Sequence, residues 1–501
     1  MFPNTQISST QQSFQIAQNF IGKETTGVFS SELLRNFKEI LEMYRAYEEG
    51  ADPKIVKLKG RSYAELRFKI ARRLINKQAR FLFANPPSIE VSRKGVKDIS
   101  EEDKKALNKV QTFLQEILMR NSFNRKLVQA ARDCFIGKRV ALMLNFDEES
   151  GITLSFVPSL EFIFETDVND VDRLTKFIQF YSTVTSNIRA EQRIYRKKFW
   201  LDKGFCWFVE EEYDGSGKLI ETLTPETKTE FTEIPVAIIA NDGLSGNPFG
   251  VSDIEELLET ERWFSKLSNK DIDAIGKGAD QIKYAIDIDP RTTKDLSHGS
   301  GAFWDARTSA QARAQGQQGR FGTIDNDMAY SPALDTTLGR LANEMYVALS
   351  VPDTTPAALR GVITSGKALK AIYWDLIVRC DEKMLTWQPA LVKILMMVLQ
   401  GASYYSKIAK QYGEIPNADD IVIDVQNNYP LPDDESEEKG NDLAEIHAEV
   451  MSRKAYMKKW RNMTEEEVTQ ELKQIKTEKA LLNQDSYIRM DTSTLNEDED
   501  E

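Results

Sequence analysis

The segment Gly361-Val362-Ile363-Thr364-Ser365-Gly366-Lys367-Ala368 falls one residue short of the phosphate-binding pattern G-x-x-x-x-G-K-[ST]. In that pattern the glycines let backbone N–H groups close on phosphate oxygens. The lysine neutralises the terminal phosphates and the hydroxyl holds Mg²⁺. Here Ala368 stands where the hydroxyl belongs, and Pro356-Ala357-Ala358-Leu359-Arg360 before the loop does not read as a buried strand. A Gly/Thr/Ser loop entering a helix, with Thr364 or Ser365 as its cap, accounts for the same residues. A nucleotide site built on Gly361 to Lys367 is the enzymatic alternative.

The same stretch carries Arg360, Lys367 and Lys370 with no acid between them. Three positive charges in a short loop can touch phosphates transiently without holding them. Pairing with acids of a neighbouring copy is the competing reading. A second basic stretch, residues 291–324, holds Arg291, Lys294, Arg307, Arg313 and Arg320 against Asp295 and Asp305. Other chemistry is sparse. His298 and His447 lie far apart, Cys134, Cys206 and Cys380 form no CxxC pair, and neither Gly-x-Ser-x-Gly nor His-Glu-x-x-His occurs. No catalytic, cofactor or metal site is expected, and the cysteines read as buried free thiols.

The chain has 501 residues, 41% of them apolar and 29% charged, enough for two to four packed units. Net charge is −13, from 78 acids and 65 bases, which argues against tight wrapping of nucleic acid. The first residues lack a basic and apolar leader. The apolar stretch Leu391 to Leu399 falls short of the ~20 residues of a membrane span. A soluble, intracellular protein is expected.

Apolar periodicity predicts helices over Ser31–Glu49, Tyr63–Phe83, Glu102–Met119 and Phe123–Phe135. In the second, Arg67, Lys69, Arg72, Arg73, Lys77 and Arg80 cover the outer side, and Asn85-Pro86-Pro87 stops it. Short turn-bounded strands follow: Arg139–Asn145, Ile152–Val157, Phe162–Glu165, Phe177–Thr183, Arg193–Trp200 and Phe205–Glu210, closed by Ile234–Ile239. They read as an antiparallel meander packed on the preceding helices, an α+β unit. Ser252 and Glu255 form a capping box for a helix to Gly276. Then come a strand at Gln281–Ile286, a helix at Ala333–Ser350, and a helix from Ser365 to Leu399 that Pro389 should kink. A strand at Ile421–Val425 precedes helices over Asp442–Ser452 and Thr464–Leu482, the latter with a Thr464/Glu467 capping box. Residues 491–501 read as a disordered acidic tail.

Five local features, in colinear order over about residues 60–480, resemble the portal proteins of tailed phages, particularly the branch of long-tailed phages of Gram-positive bacteria. They are Asn76-Lys77-Gln78-Ala79-Arg80-Phe81-Leu82-Phe83-Ala84-Asn85-Pro86-Pro87; Phe135-Ile136-Gly137-Lys138 with Val157-Pro158-Ser159-Leu160-Glu161; Ile234-Pro235-Val236 with Gly250-Val251-Ser252-Asp253-Ile254-Glu255; Val351-Pro352-Asp353 with Ser365-Gly366-Lys367-Ala368-Leu369; and Leu431-Pro432-Asp433-Asp434 with Ser452-Arg453-Lys454-Ala455 and Thr464-Glu465-Glu466-Glu467.

The resemblance implies a non-catalytic α+β portal fold assembled as a ring, usually of twelve copies, around a DNA channel at one capsid vertex. Residues 1–250 would be the wing, 251–277 and 333–350 the stem helices, and 278–332 a small α/β clip. Residues 351–365 would be the tunnel loop, 366–400 the long kinked helix and 401–490 a helical crown. Thr354, Thr355, Arg360, Thr364, Ser365, Lys367 and Lys370 would face the channel. Arg291, Lys294, Arg307, Arg313 and Arg320 would lie at the docking and exit end. Implied partners are double-stranded DNA, the terminase large subunit, a head-completion or adaptor protein, and the major capsid and scaffolding proteins, with no membrane and no cofactor. The implied location is the virion, with the host cytoplasm during assembly. A morphogenesis or scaffold factor without a channel is a further alternative.

Overall fold

The computed structural model describes residues 9–24, 28–55, 63–94, 100–182, 193–244, 247–279, 282–289, 307–324, 329–354, 366–415, 420–431, 435–461, 463 and 467–478. The chain packs as two units. One comprises Met1–Asp353 with Tyr373–Pro430, and the other Thr354–Ile372 with Leu431–Glu501. Residues 401–430, grouped by sequence with the segment to 490, pack with the first unit.

The first unit begins with α1 (Ser9–Glu24) and α2 (Val28–Glu49), which bury Ala17 and Ile21 against Phe37, Ile40 and Tyr44. Only the second was legible in sequence. Helix α3 spans Ile70–Phe83, not Tyr63–Phe83. The preceding residues, 63–69, are extended because another helix takes up their backbone, as described below. After α3, β1 (Ser88–Arg93) precedes α4 (Glu101–Arg120) and α5 (Phe123–Gly137). Ser100 caps α4 by accepting from the Asp103 N–H at 3.1 Å. Acids in its first turn suit the positive helix end.

The expected single meander is two sheets. In the first, β2 (Arg139–Asp147) lies between β3 (Gly151–Pro158) and β9 (Val236–Ala240). Its residues 139–144 are buried without alternation, as a strand covered on both faces requires. The second is a true meander of β4 (Phe162–Thr166), β5 (Leu174–Ser182), β6 (Arg193–Asp202), β7 (Phe205–Asp214) and β8 (Leu219–Lys228). Directly opposed Arg196–Glu211 and Lys197–Glu210 pairs fix the β6/β7 register. β8 escaped the sequence reading because nearly all its side chains are exposed, so it shows no alternation.

Helix α6 (Asp253–Ala279) leads to β10 (Ile282–Ile286), a short α7 (Ala310–Ala314), β11 (Arg320–Ile324) and α8 (Ser331–Ala348). β10 and β11 pair antiparallel, and α6 packs along α8. The second unit contributes α9 (Gly366–Ile372). The first resumes with α10 (Trp374–Tyr404), α11 (Ser406–Ala409) and β12 (Ile421–Gln426), which pairs with β1. The helical interruption thus falls at Tyr373, and Pro389 sits inside a continuous α10. Proline removes one N–H from the ladder. The carbonyl left over belongs to Leu385, whose residue is 73% exposed, so water can serve it.

In the second unit, α12 (Glu435–His447) and α13 (Arg453–Arg461) meet at Asp442, which accepts from Trp460 Nε1 at 2.6 Å and pairs with Lys459 at 2.9 Å. Arg461 pairs with Glu471 on the helix over 467–478. The sequence reading missed α13 and began α12 too late. Thr464 of the expected capping box lies outside the described residues.

Candidate functional site

The residues singled out by sequence are spread over both units. Val351 is 2% exposed, and the Pro352 carbonyl accepts from the Lys77 ammonium of α3. Thr354 is half-buried and Lys370 is exposed on α9. Lys367 belongs to α9, but its side chain, like Thr355, Arg360, Thr364 and Ser365, lies outside the described residues. Arg291, Lys294 and His298 also lie outside them. Arg307 and Arg313 are exposed beside the β10/β11 hairpin. The Arg307 carbonyl accepts from Asp289, and the Arg313 guanidinium donates to the Thr308 carbonyl at 3.2 Å. Arg320 is exposed at the start of β11. Among the described residues, the element before the Gly361–Lys367 loop is helix α8, so the strand–loop–helix setting of a nucleotide loop is not present there.

Helix α3 anchors the first unit wherever the chain leaves or re-enters it. Lys77 holds Pro352. Phe81 is sandwiched between Tyr373 and Tyr429, each ring 5.2 Å away and tilted by 11°. The Tyr429 hydroxyl donates to Asp381 at 2.5 Å. Burial and that carboxylate push the phenol well above its ordinary range.

Below this anchor lies a buried ionic node. The Asp253 carboxylate, at the first turn of α6, receives Lys383 at 3.1 Å and Arg379 at 3.3 Å, both from α10. It also receives Asn241 at 2.8 Å from the loop after β9. Gln78 of α3 completes it: its amide donates to Asp253 at 3.0 Å and accepts from Arg379 at 3.2 Å in the orientation the network requires. Ser252 starts α6 as expected, accepting from Ile254 and donating to Ile136. Glu255 does not close the box; it reaches Lys138 instead, at 3.8 Å. A lysine on the apolar side of α10 was the signal sequence reasoning passed over, and its partners are remote in sequence.

A second polar seam runs along α6. Asp273, Asn269, Ser265 and Glu261, spaced four apart on one helical face, accept from the backbone N–H groups of Ala64, Leu66, Phe68 and Ile70. Glu261 also accepts from Ala71 at 3.1 Å, and Asn269 donates back to the Leu66 carbonyl at 2.7 Å. Alternate residues of an extended strap advance ~6.6 Å and a helix advances ~6 Å per four residues, so the two ladders stay in step. The α3 N-terminus is therefore capped by Glu261, a residue of another helix, and the strap is held by backbone contacts. Burial raises the Glu261 carboxyl, while the α3 amides and Arg73 pull it back down.

The family model described as phage portal protein, SPP1 Gp6-like, matches residues 29–485. The chain belongs to this portal family. The family is a structural one. Solved structures similar to the chain come from a gene transfer agent particle. A chain from the native virion has 10% identity and a TM-score of 0.41, over 85% of this chain and 94% of that one. Chains from the empty neck with C6 symmetry and the native neck with C12 symmetry each have 10% identity and a TM-score of 0.41, over 84% and 92%. No curated protein matches the chain. Among the described residues of this portal protein, no cluster of His, Cys, Asp and Glu could hold a metal ion, and no helix is long and apolar enough to cross a membrane. All three cysteines are buried and free.

Proposed function

We propose that this portal protein forms a closed ring, of twelve copies, through which double-stranded DNA enters and leaves the capsid. The observation that carries the reading is the portal-family match over residues 29–485. The run α6–β10–α7–β11–α8 supports it. Two packed helices bracket a small strand-paired module, the arrangement expected of stem helices (251–277, 333–350) around a clip (278–332). Residues 1–250 are then the wing, 351–365 the tunnel loop, 366–400 the long helix, interrupted at Tyr373, and 401–490 the crown.

In this reading Arg360, Lys367 and Lys370 place three positive charges per copy beside passing phosphates, with no acid between them. Screened contacts of this kind are weak singly and repeated around a ring, which suits a conduit that must let DNA slide. The overall charge of −13 keeps the chain as a whole from wrapping DNA tightly. Arg291, Lys294, Arg307, Arg313 and Arg320 of the clip meet the terminase large subunit during packaging and a head-completion adaptor afterwards. The wing and crown contact the major capsid and scaffolding proteins. The role is mechanical, without catalysis, in the virion and, during assembly, in the host cytoplasm.

A photo-crosslinker placed at position 360 tests the loop assignment in DNA-filled particles. Covalent labelling of DNA is expected. Particles that fill with DNA and show no crosslink there would contradict it.

A further inference from the structure

The solvent strip of α3 is made almost wholly of cations. Lys69, Arg72, Arg73 and Arg80 are exposed, Lys77 and Asn76 are half-buried, and every apolar residue of the helix is buried. From Lys69 to Arg80 the strip runs ~16 Å at 1.5 Å per residue. Helices α2, α4, α6, α8 and α10 of the first unit differ, each exposing acids among its cations.

This strip is unusual in an acid-rich chain. Elsewhere on the first unit Arg35, Arg67, Arg93, Lys109, Arg120 and Lys393 pair with carboxylates. Among the described residues, Lys69 and Arg80 meet no carboxylate within 4.0 Å, and Arg72 lies over the Tyr47 ring at 5.3 Å. The strip also ends beside a notable place, because Lys77 holds the carbonyl of Pro352, where the chain leaves toward Arg360 and Lys367.

We infer that the outer strip of α3 is a docking track for the phosphate backbone of double-stranded DNA; the inference rests on the conduit reading and adds to it a contact outside the loop. Charge alone would equally admit an acidic protein surface. Protein interfaces, however, are built around an apolar core from which Lys is depleted, and this strip offers no apolar side chain to bury. Arginine guanidinium groups fork onto phosphate oxygens, and a sequence-independent track needs only regularly spaced cations.

The test uses the assembled full-length protein and a fluorescent double-stranded oligonucleotide, titrated at several salt concentrations. The variant K69Q/R72Q/R80Q is expected to bind at least tenfold more weakly at low salt. The slope of log affinity against log salt should flatten by about 0.9 for each phosphate contact removed. The variant R72K/R80K, which keeps the charge, should stay within a few-fold of the parent, separating loss of charge from loss of fold. Unchanged affinity and slope in the triple variant would overturn the inference, as would equal loss of binding to a polyglutamate probe. Imaging the same samples separates the two levels. Ringed particles with unaltered DNA binding in the triple variant refute the α3 track alone, and absence of rings in the parent refutes the conduit.

Discussion

Lys383 and Asp253 form an ion pair at 3.1 Å with side chains only 5% and 3% exposed. It joins α10 to the first turn of α6, and Asn241, Arg379 and Gln78 fill the remaining hydrogen-bonding positions. A buried pair gains little net stability over an apolar one, but losing one partner strands a charge. Lys383→Met is therefore expected to destabilise the first unit by about 3–5 kcal/mol in urea unfolding. Adding Asp253→Asn to it should recover part of that loss. A single variant within about 1 kcal/mol of the parent would show that Arg379 alone neutralises Asp253.

The strap over α6 gives a local prediction. Asn269→Ala removes both hydrogen bonds to Leu66. The expected cost is about 1–3 kcal/mol, with faster hydrogen exchange at Leu66 and Phe68 and little change in α4. Unchanged exchange at the strap would mean that Asp273, Ser265 and Glu261 suffice to hold it.

Asp133 sets a pH dependence. Its carboxyl is pushed up to about 7, first by burial and then by the Glu161 carboxylate, against a lowering hydrogen bond from Tyr44. The folded state thus keeps a proton that the unfolded chain loses near pH 4. Stability from this group is full below that pH and falls as pH rises toward 7, then levels off. The raised Glu161 carboxyl adds a loss of the same sign. Thermal melts should show Asp133→Asn gaining on the parent at pH 8 relative to pH 4.5. A parallel pH profile for the two would contradict the assignment.

Gly250→Ala is expected to fail. Gly250 has φ +70°, and a Cβ there would sit 2.2 Å from the Lys138 carbonyl oxygen and 2.9 Å from Asn241 N. The left-handed backbone alone costs about 1–3 kcal/mol, before the collision is relieved. Soluble yield and melting temperature report it; a melting point equal to the parent's would mean that the β9–α6 turn can re-form around a side chain.

What the sequence makes legible is what local pattern determines. Val110, Phe113, Leu114 and Ile117 recur at helical spacing, and α4 lies where they place it. Leu66 and Ile70 continue the same spacing into α3, yet residues 63–69 are extended, because Asn269 and Asp273 take amides some 200 residues away. The helical break illustrates the same point. Pro389 reads as the interruption, but the chain turns at Tyr373, whose ring stacks on Phe81. Pairing of β1 with β12 joins Ser88 to Gln426, a register no local window contains. Of the candidate site, the acid-free runs at 360–370 and along α3 are plain in sequence. The node around Asp253 is not, since it needs three remote segments to converge.

Symmetry-resolved electron imaging of the full-length protein in assembled particles tests the central claim most directly. Closed rings of twelve copies around an open channel at a single vertex are expected. Particles that carry the protein in an assembly with no through-channel, or that assemble and mature without it, would contradict it.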